Sequence, residues 1–316
     1  MENLQFLGIY GILQETFKLI HKWRRIFTQI SLAFILPLSL LSFANLQISN
    51  FFTPKFLKLS DLVSSETIHY ILFNFAFFII STLFSLLSAS AIASTVAAVY
   101  ESRDVPFTHM ICALPKLCKR LLATSLCVFA AFVAFNITAF AILALILLIA
   151  VVVHDITLDS AATWAILFVF IVAYCTAAVY LTIIWQLSGV VSVLEESCGF
   201  EAMARSRALV KGKMMMVVNL MALLSFPCVV VQVLSSYMVF EAAAAAVKGI
   251  FGIVLVMSFL LFVLVKLVAE TVVYFVCKSC HHESVHKLAL SGHLLAEYIP
   301  LKVDDDDVQL EKLQVV

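Results

Sequence analysis

The sequence predicts an all-α, polytopic membrane bundle of six transmembrane helices, and three observations carry that expectation. Hydrophobic residues make up 63% of the chain and charged residues 13%, with a mean hydropathy of +1.09. Soluble domains sit nearer half apolar and a quarter charged. The apolar residues gather in six runs, each long enough for the ~20 residues a bilayer crossing takes. The lysines and arginines fall almost entirely in alternate connections between those runs. The net charge of zero supplies no global attraction to nucleic acid, so no direct nucleic-acid partner is expected.

The first 25 residues form a mixed, amphipathic segment that carries Lys18, Lys22, Arg24 and Arg25 just before the first oily run. That run begins too late, and is too long, for a cleaved signal, so it is expected to act as an anchor. The spans are read as 26–46, 69–99, 121–153, 161–194, 214–240 and 250–277, making one membrane domain over 26–277 with an acidic tail over 278–316. The periodicity is helical throughout, without the alternating segments of a barrel. Several runs exceed one crossing at ~1.5 Å per residue, so tilt or projection into water is expected. Pro37 and Pro227 mark expected kinks in the first and fifth spans.

Orientation follows from charge. Sixteen of the twenty lysines and arginines lie in the amino-terminal segment, the second-to-third and fourth-to-fifth connections, and the tail. The opposite connections carry Lys55, Lys58 and Lys248, and Lys266 lies inside the last span. The positive-inside rule then places both termini in the cytosol. In the second span Ser81, Ser85, Ala89, Ala93 and Ala97 recur every four residues, a small-residue stripe suited to close helix packing in lipid.

The stretch EESCGFEAMARSRALVKGK, from Glu195, is a polar island between the fourth and fifth spans. Phe200 stands thirteen residues before Lys213, as Phe107 stands thirteen before Arg120, and a Glu-Ser pair precedes each phenylalanine. Phe17 ahead of Arg24 and Arg25 is a shorter version. These suggest three units, each a basic juxtamembrane helix feeding a two-helix hairpin. At ~100° per residue, Phe200, Met203 and Val210 share an arc with Arg207 and Lys211, while Ala202 and Leu209 fall opposite. Such mixing predicts a helix wedged between headgroups and the protein body rather than one lying flat on lipid. Arg207 and Lys211 would then face lipid phosphate or carboxylates, with Glu195 and Glu196 as their expected partners and Ser197 as the helix cap.

This string, VVSVLEESCGFEAMARSRALVKGK, resembles the signature of a broad group of six-span proteins in which a glutamate ends one span, followed by a glycine, an Ala-x-x-Arg-Ser pattern and a Lys-Gly pair. The group includes the membrane domain attached to some bacterial glycerophosphodiester phosphodiesterases. It also includes plant proteins of unsettled function, some labelled as binding partners of polyadenylate-binding protein. The stretches YIPLKVDDDDVQLE and FVCKSCHHESVHK are similar to the plant branch. Position by position, the resemblance implicates Glu195, Gly199, Ala202, Arg205, Ser206, Lys211 and Gly212. It implies a fold more than an activity. The phosphodiesterase's catalytic barrel of ~250 residues has no counterpart here, so that activity is not carried over.

Other polar residues have narrower readings. Lys266 and Glu270, spaced i,i+4, are expected to pair on one helix face, or to line a polar pathway. Asn74, Asn136, Gln186, Asn219 and Gln232 are expected to act as inter-helix hydrogen-bonding glue. No metal or cofactor is expected; Cys277, Cys280, His281, His282 and His286 are the candidate soft ligands, but no second ligand pair follows at finger-like spacing. Palmitoylation of Cys277 or Cys280 is the other reading of that turn. The sequence carries no nucleophile elbow, P-loop or HExxH motif, so no catalytic residues are assigned. The leading expectation is a non-enzymatic endomembrane protein, at the endoplasmic reticulum or a related membrane. It would organise lipids or partner membrane proteins through a basic cytosolic face. The alternatives are a transporter or channel for a small solute or ion, and a membrane-embedded enzyme or accessory factor of lipid or specialised metabolism.

Overall fold

The computed structural model describes residues 8–56, 65–100, 107–154, 161–195, 197–241 and 245–280. In chain order its elements are α1 (Ile9–Lys22), α2 (Arg24–Ile30), a π-helical turn (Ser31–Ile35), α3 (Leu36–Phe56), α4 (Ser65–Tyr100) and α5 (Phe107–His154). There follow α6 (Ala161–Leu194), α7 (Phe200–Val210), α8 (Met214–Glu241) and α9 (Ala245–Cys280). Among the described residues six stretches are long and apolar enough to cross a membrane: Arg24–Leu46, Leu72–Tyr100, Lys119–Ala150, Thr163–Leu194, Met214–Tyr237 and Gly249–Cys280. Among the described residues there is no strand, and the fold is the all-α, multi-pass bundle that composition and periodicity predict.

The amino-terminal segment does not stand apart from the bundle. In α1, Ile12, Thr16 and Leu19 fall on one face at helical spacing, are buried, and pack with α9. Tyr10, Phe17 and Lys18 point away from it. α1 stops at Trp23, whose backbone (φ −109°, ψ 31°) leaves the helical region, and α2 restarts one residue later. The irregularity expected at Pro37 is the π-helical turn just upstream. Proline cannot donate to the carbonyl four residues back, and the widened turn is where the hydrogen-bond ladder resets. α8 runs through Pro227 without ending.

Two helices form the centre. α4 is buried at Ser88 and continuously from Ser90 to Ala97. The small residues there are enclosed on every face, and the proposed stripe is not a single seam: Ser85 is exposed. In α9 every residue from Val268 to Lys278 is buried. The helix therefore continues past the expected end of the span, and Lys278 belongs to the bundle rather than to a tail. α5 and α6 form a more peripheral pair with apolar side chains turned outward. They are tied by the Tyr174 hydroxyl, which donates to Asn136 Oδ1 at 2.8 Å, and by stacking of Tyr174 on Phe135, with Phe170 stacked on Tyr174 within α6.

The three expected basic units differ in build. α7 is separated from its span by the turn Lys211–Lys213, whereas the basic segment before the third span is helically continuous with it in α5. At ~1.5 Å per residue, the 48 residues of α5 extend ~72 Å, far beyond one hydrocarbon core.

Candidate functional site: a clasp around Glu195

The polar island folds around the carboxyl end of α6. That end leaves carbonyls without helical partners and carries partial negative charge, so cations are favoured there. Arg120, reaching across from α5, donates from Nη2 to the Glu195 carbonyl oxygen at 2.7 Å. The Glu195 side chain then collects three donors from two other helices. Arg205 Nε of α7 donates to Oε2 at 3.1 Å. Lys278 Nζ and the Tyr274 hydroxyl, one turn apart on α9, donate to Oε1 at 3.0 and 2.7 Å. Lys278 also donates to the Tyr274 oxygen at 3.1 Å.

One residue thus gathers α5, α6, α7 and α9. Burial alone would raise the Glu195 carboxyl pKa, but it is outweighed by hydrogen bonds from Tyr274 and Lys278 and by the charges of Lys278 and Arg205. The group is held below its ordinary carboxylate value. Tyr274 is 0% exposed and Lys278 5%, so the ammonium has little water to fall back on.

The backbone of the island is set by glycine. Gly199 has φ +64° and ψ −131°, a conformation that L side chains rarely adopt. Its N–H donates to Thr124 Oγ1 of α5 at 3.0 Å, and a Cβ placed there would lie 3.2 Å from Cys127 Sγ. Gly199 therefore serves both the turn and the close approach of two helices. α7 starts at the next residue with no side-chain cap, so Ser197 does not cap it; the Ser197 hydroxyl is buried without a partner. Gly212, at φ +100°, turns the chain from α7 into α8.

α7 buries Ala202, Ser206, Leu209 and Val210 and exposes Phe200 and Arg207. Ser206 Oγ donates to Met203 O at 2.9 Å and lies 3.2 Å from Ile184 O of α6, fixing the helix against its neighbour. The expected partners of Glu195 are thereby corrected. Arg207 and Lys211 are exposed, and the carboxylate is taken by Arg205 and Lys278. Arg205 lies two residues nearer the start of α7 than Arg207, about half a turn round the helix, and Lys278 arrives from a helix that periodicity alone does not bring near. Lys213 is half-buried. Glu196 lies outside the described residues.

The remaining candidates are dispersed. Lys266 and Glu270 form an ion pair at 3.8 Å on α9, with Glu270 buried. Asn136 joins α5 to α6 as described, and its Nδ2 donates to Phe132 O. Gln186 Oε1 is buried without a hydrogen-bond partner, and Asn74 is half-buried on α4. Cys277 is 1% exposed, which corrects its reading as an acylation site; Cys280 is half-buried. His281, His282 and His286 lie outside the described residues.

Arg120, Tyr274 and Lys278 escaped the sequence reading as members of the site. A faint signal exists for two of them: a tyrosine and a lysine at i,i+4 closing the last apolar run. In the clasp the Glu195 carboxylate and carbonyl collect donors from α5, α7 and α9, and these contacts join the four helices.

Fold and site together define a multi-pass α-helical membrane protein whose spans are pinned at one end by a buried charge cluster. The chain belongs to the family described as domain of unknown function DUF8558, which it matches over residues 1–313. No curated protein and no solved structure shows significant similarity to it.

Proposed function

We propose that the protein is a non-enzymatic organiser of membrane lipids and partner membrane proteins, acting through the basic face at the clasp end of the bundle. The supporting observation is a division among the cations there. Arg120, Arg205 and Lys278 turn inward to Glu195. Lys18, Lys22, Arg24, Arg25, Lys119, Arg207 and Lys211 are exposed at the same end. The inward set fixes the helices and the outward set, of which Lys18 also lies 3.9 Å from Glu15 Oε2, faces solvent and headgroups. Exposed cations near an anionic leaflet contribute about 1 kcal/mol each, so even part of this set gives selective retention of anionic lipid. On this reading the clasp end is cytosolic and the membrane is an endomembrane such as the endoplasmic reticulum.

The test is the lipid retained by purified protein from mixed anionic and zwitterionic bilayers, measured by native mass spectrometry. Reversing Lys22, Arg24, Arg207 and Lys211 to glutamate should abolish the preference for anionic lipid while the fold survives. Unchanged lipid retention and unchanged co-purifying proteins would sink the proposal.

A further inference from the structure

At the opposite end of the spans from Glu195, α3, α4 and α8 leave a cleft of about 300 Å³. Its polar wall is Ser42 and Asn45 of α3, Ser81 of α4, and Gln232 and Ser235 of α8. Its apolar wall includes Phe43 and Phe77. Phe43 is braced edge-to-face on Phe259 of α9 at 5.8 Å, and Phe77 is 9% exposed, so that wall is fixed by packing.

The hydrogen bonds made by these residues define what the cleft still offers. The Ser42 hydroxyl donates to Leu38 O and the Ser235 hydroxyl to Gln232 O, at 2.9 and 2.7 Å. Both protons are spent on the residues' own helices, leaving lone pairs. Asn45 Oδ1 and Ser81 Oγ are buried with no hydrogen-bond partner. The cleft thus combines free acceptors with donors, the amide N–H groups of Asn45 and Gln232 and the Ser81 hydroxyl, and its buried Asn45 Oδ1 and Ser81 Oγ are the groups still to be satisfied. Among the described residues no Asp, Glu, Lys, Arg or His lines it, so an ionised group entering would lose hydration without gaining a counter-charge there. A volume of this size admits a small headgroup and the first part of a chain. The cleft's rim includes the exposed Phe78 and Gln232.

We infer that this cleft binds an uncharged, hydroxyl-bearing amphiphile from the bilayer. The ligand's hydroxyl donates to Asn45 Oδ1 and accepts from Ser81 Oγ, while its hydrocarbon lies along Phe43 and Phe77. A sterol and a diacylglycerol share that chemistry. The site is separate from the basic face and does not depend on its lipid preference.

The test uses the full chain in phosphatidylcholine vesicles carrying photoactivatable sterol or diacylglycerol probes, each with its free hydroxyl or with that hydroxyl methylated. At least one free-hydroxyl probe is expected to label peptides holding residues 42–46, 77–81 or 232–235, saturably and well above its methyl ether. The probe that labels names the source. Combining Asn45→Leu with Ser81→Ala should reduce that labelling about tenfold, the scale of a lost buried hydrogen bond. Should that variant fail to fold, competition on the unaltered protein by unlabelled hydroxyl amphiphile, against its methyl ether, reads the same selectivity. Equal labelling by free and methylated probes, or labelling spread over the lipid-facing helices, would mean a cleft filled by water or passing lipid chains and would overturn the inference.

Discussion

Separating Glu195 from Lys278 is the sharpest perturbation the clasp allows. Lys278 is 5% exposed and its ammonium sits 3.0 Å from Glu195 Oε1. Replacing Glu195 by alanine strands that ammonium and the Tyr274 hydroxyl, and breaking a buried pair in this way costs about 3–5 kcal/mol. Arg205→Ala removes the other cation, whose side chain is 36% exposed. Partial exposure limits that loss to roughly 1 kcal/mol. Replacing both ends, Glu195→Gln with Lys278→Met, takes away the charge and its counter-charge together. The double variant should therefore be more stable than the sum of the Glu195→Gln and Lys278→Met single losses predicts, by a coupling of about 2–3 kcal/mol. The assay is equilibrium unfolding in mixed micelles, titrating a denaturing detergent and following tryptophan fluorescence across wild type, Glu195→Gln, Lys278→Met, their double, and the Glu195→Ala and Arg205→Ala variants. If the Glu195→Gln and Lys278→Met losses simply add, or if Arg205→Ala costs as much as Glu195→Ala, the account of a half-buried carboxylate holding a buried ammonium is wrong.

Gly199→Ala should destabilise by about 1–3 kcal/mol through backbone strain, with an added crowding term at Cys127 Sγ, 3.2 Å from the new Cβ. Adding Cys127→Ala should restore only the crowding part, as read by the same unfolding assay. The depressed pKa of Glu195 makes stability pH-dependent. Its contribution is complete above the unfolded chain's value of about 4.3 and is lost as pH falls through the lower folded-state value. A melting-temperature profile should show that acid-side loss in wild type and a flatter curve in Glu195→Gln. Cys198 is exposed at the clasp end; as the sole remaining cysteine, it should react with a membrane-impermeant maleimide only after sealed endomembrane vesicles are opened, if that end faces the vesicle lumen. If that end is cytosolic, it should react at once in intact, cytosol-out vesicles. The second pattern is the one expected.

Much of the architecture was legible because lipid imposes one rule on every span. Backbone polar groups must be satisfied within the helix, so long apolar runs read directly as spanning helices. The island was visible because charge is rare in such a chain, and Gly199, Arg205 and Ser206 do take the site's turn, ion pair and packing contact. Which cation meets Glu195 was not visible. That depends on how α9 is rotated and how far it continues, and a run that is apolar all round carries no periodicity to report either. The same blindness hid the burial of Lys278, the first residue after the last oily run, and of Cys277, its final one, since the edge of a run looks solvent-exposed in sequence. The cleft near Asn45 was hidden for another reason. Its polar residues come from three helices at unrelated spacings, and only packing brings them together. α1 shows the converse: its Ile12, Thr16 and Leu19 face is periodic, yet a membrane surface and the flank of α9 accept the same pattern.

The most direct test of the central claim, that inward cations hold the fold and outward cations hold lipid, is the relative affinity for anionic over zwitterionic lipid in reconstituted bilayers. It can be read by quenching of the protein's tryptophans with brominated lipids, at low ionic strength and at about 1 M salt, where the screening length falls to ~3 Å. Wild type should prefer the anionic lipid at low salt and lose that preference at high salt. Lys22, Arg24, Arg207 and Lys211 reversed together to glutamate should abolish it, whereas Arg205→Ala, at a salt where it remains folded, should keep it. An anionic preference that survives the four reversals, or one that vanishes with Arg205→Ala alone in folded protein, would contradict the account.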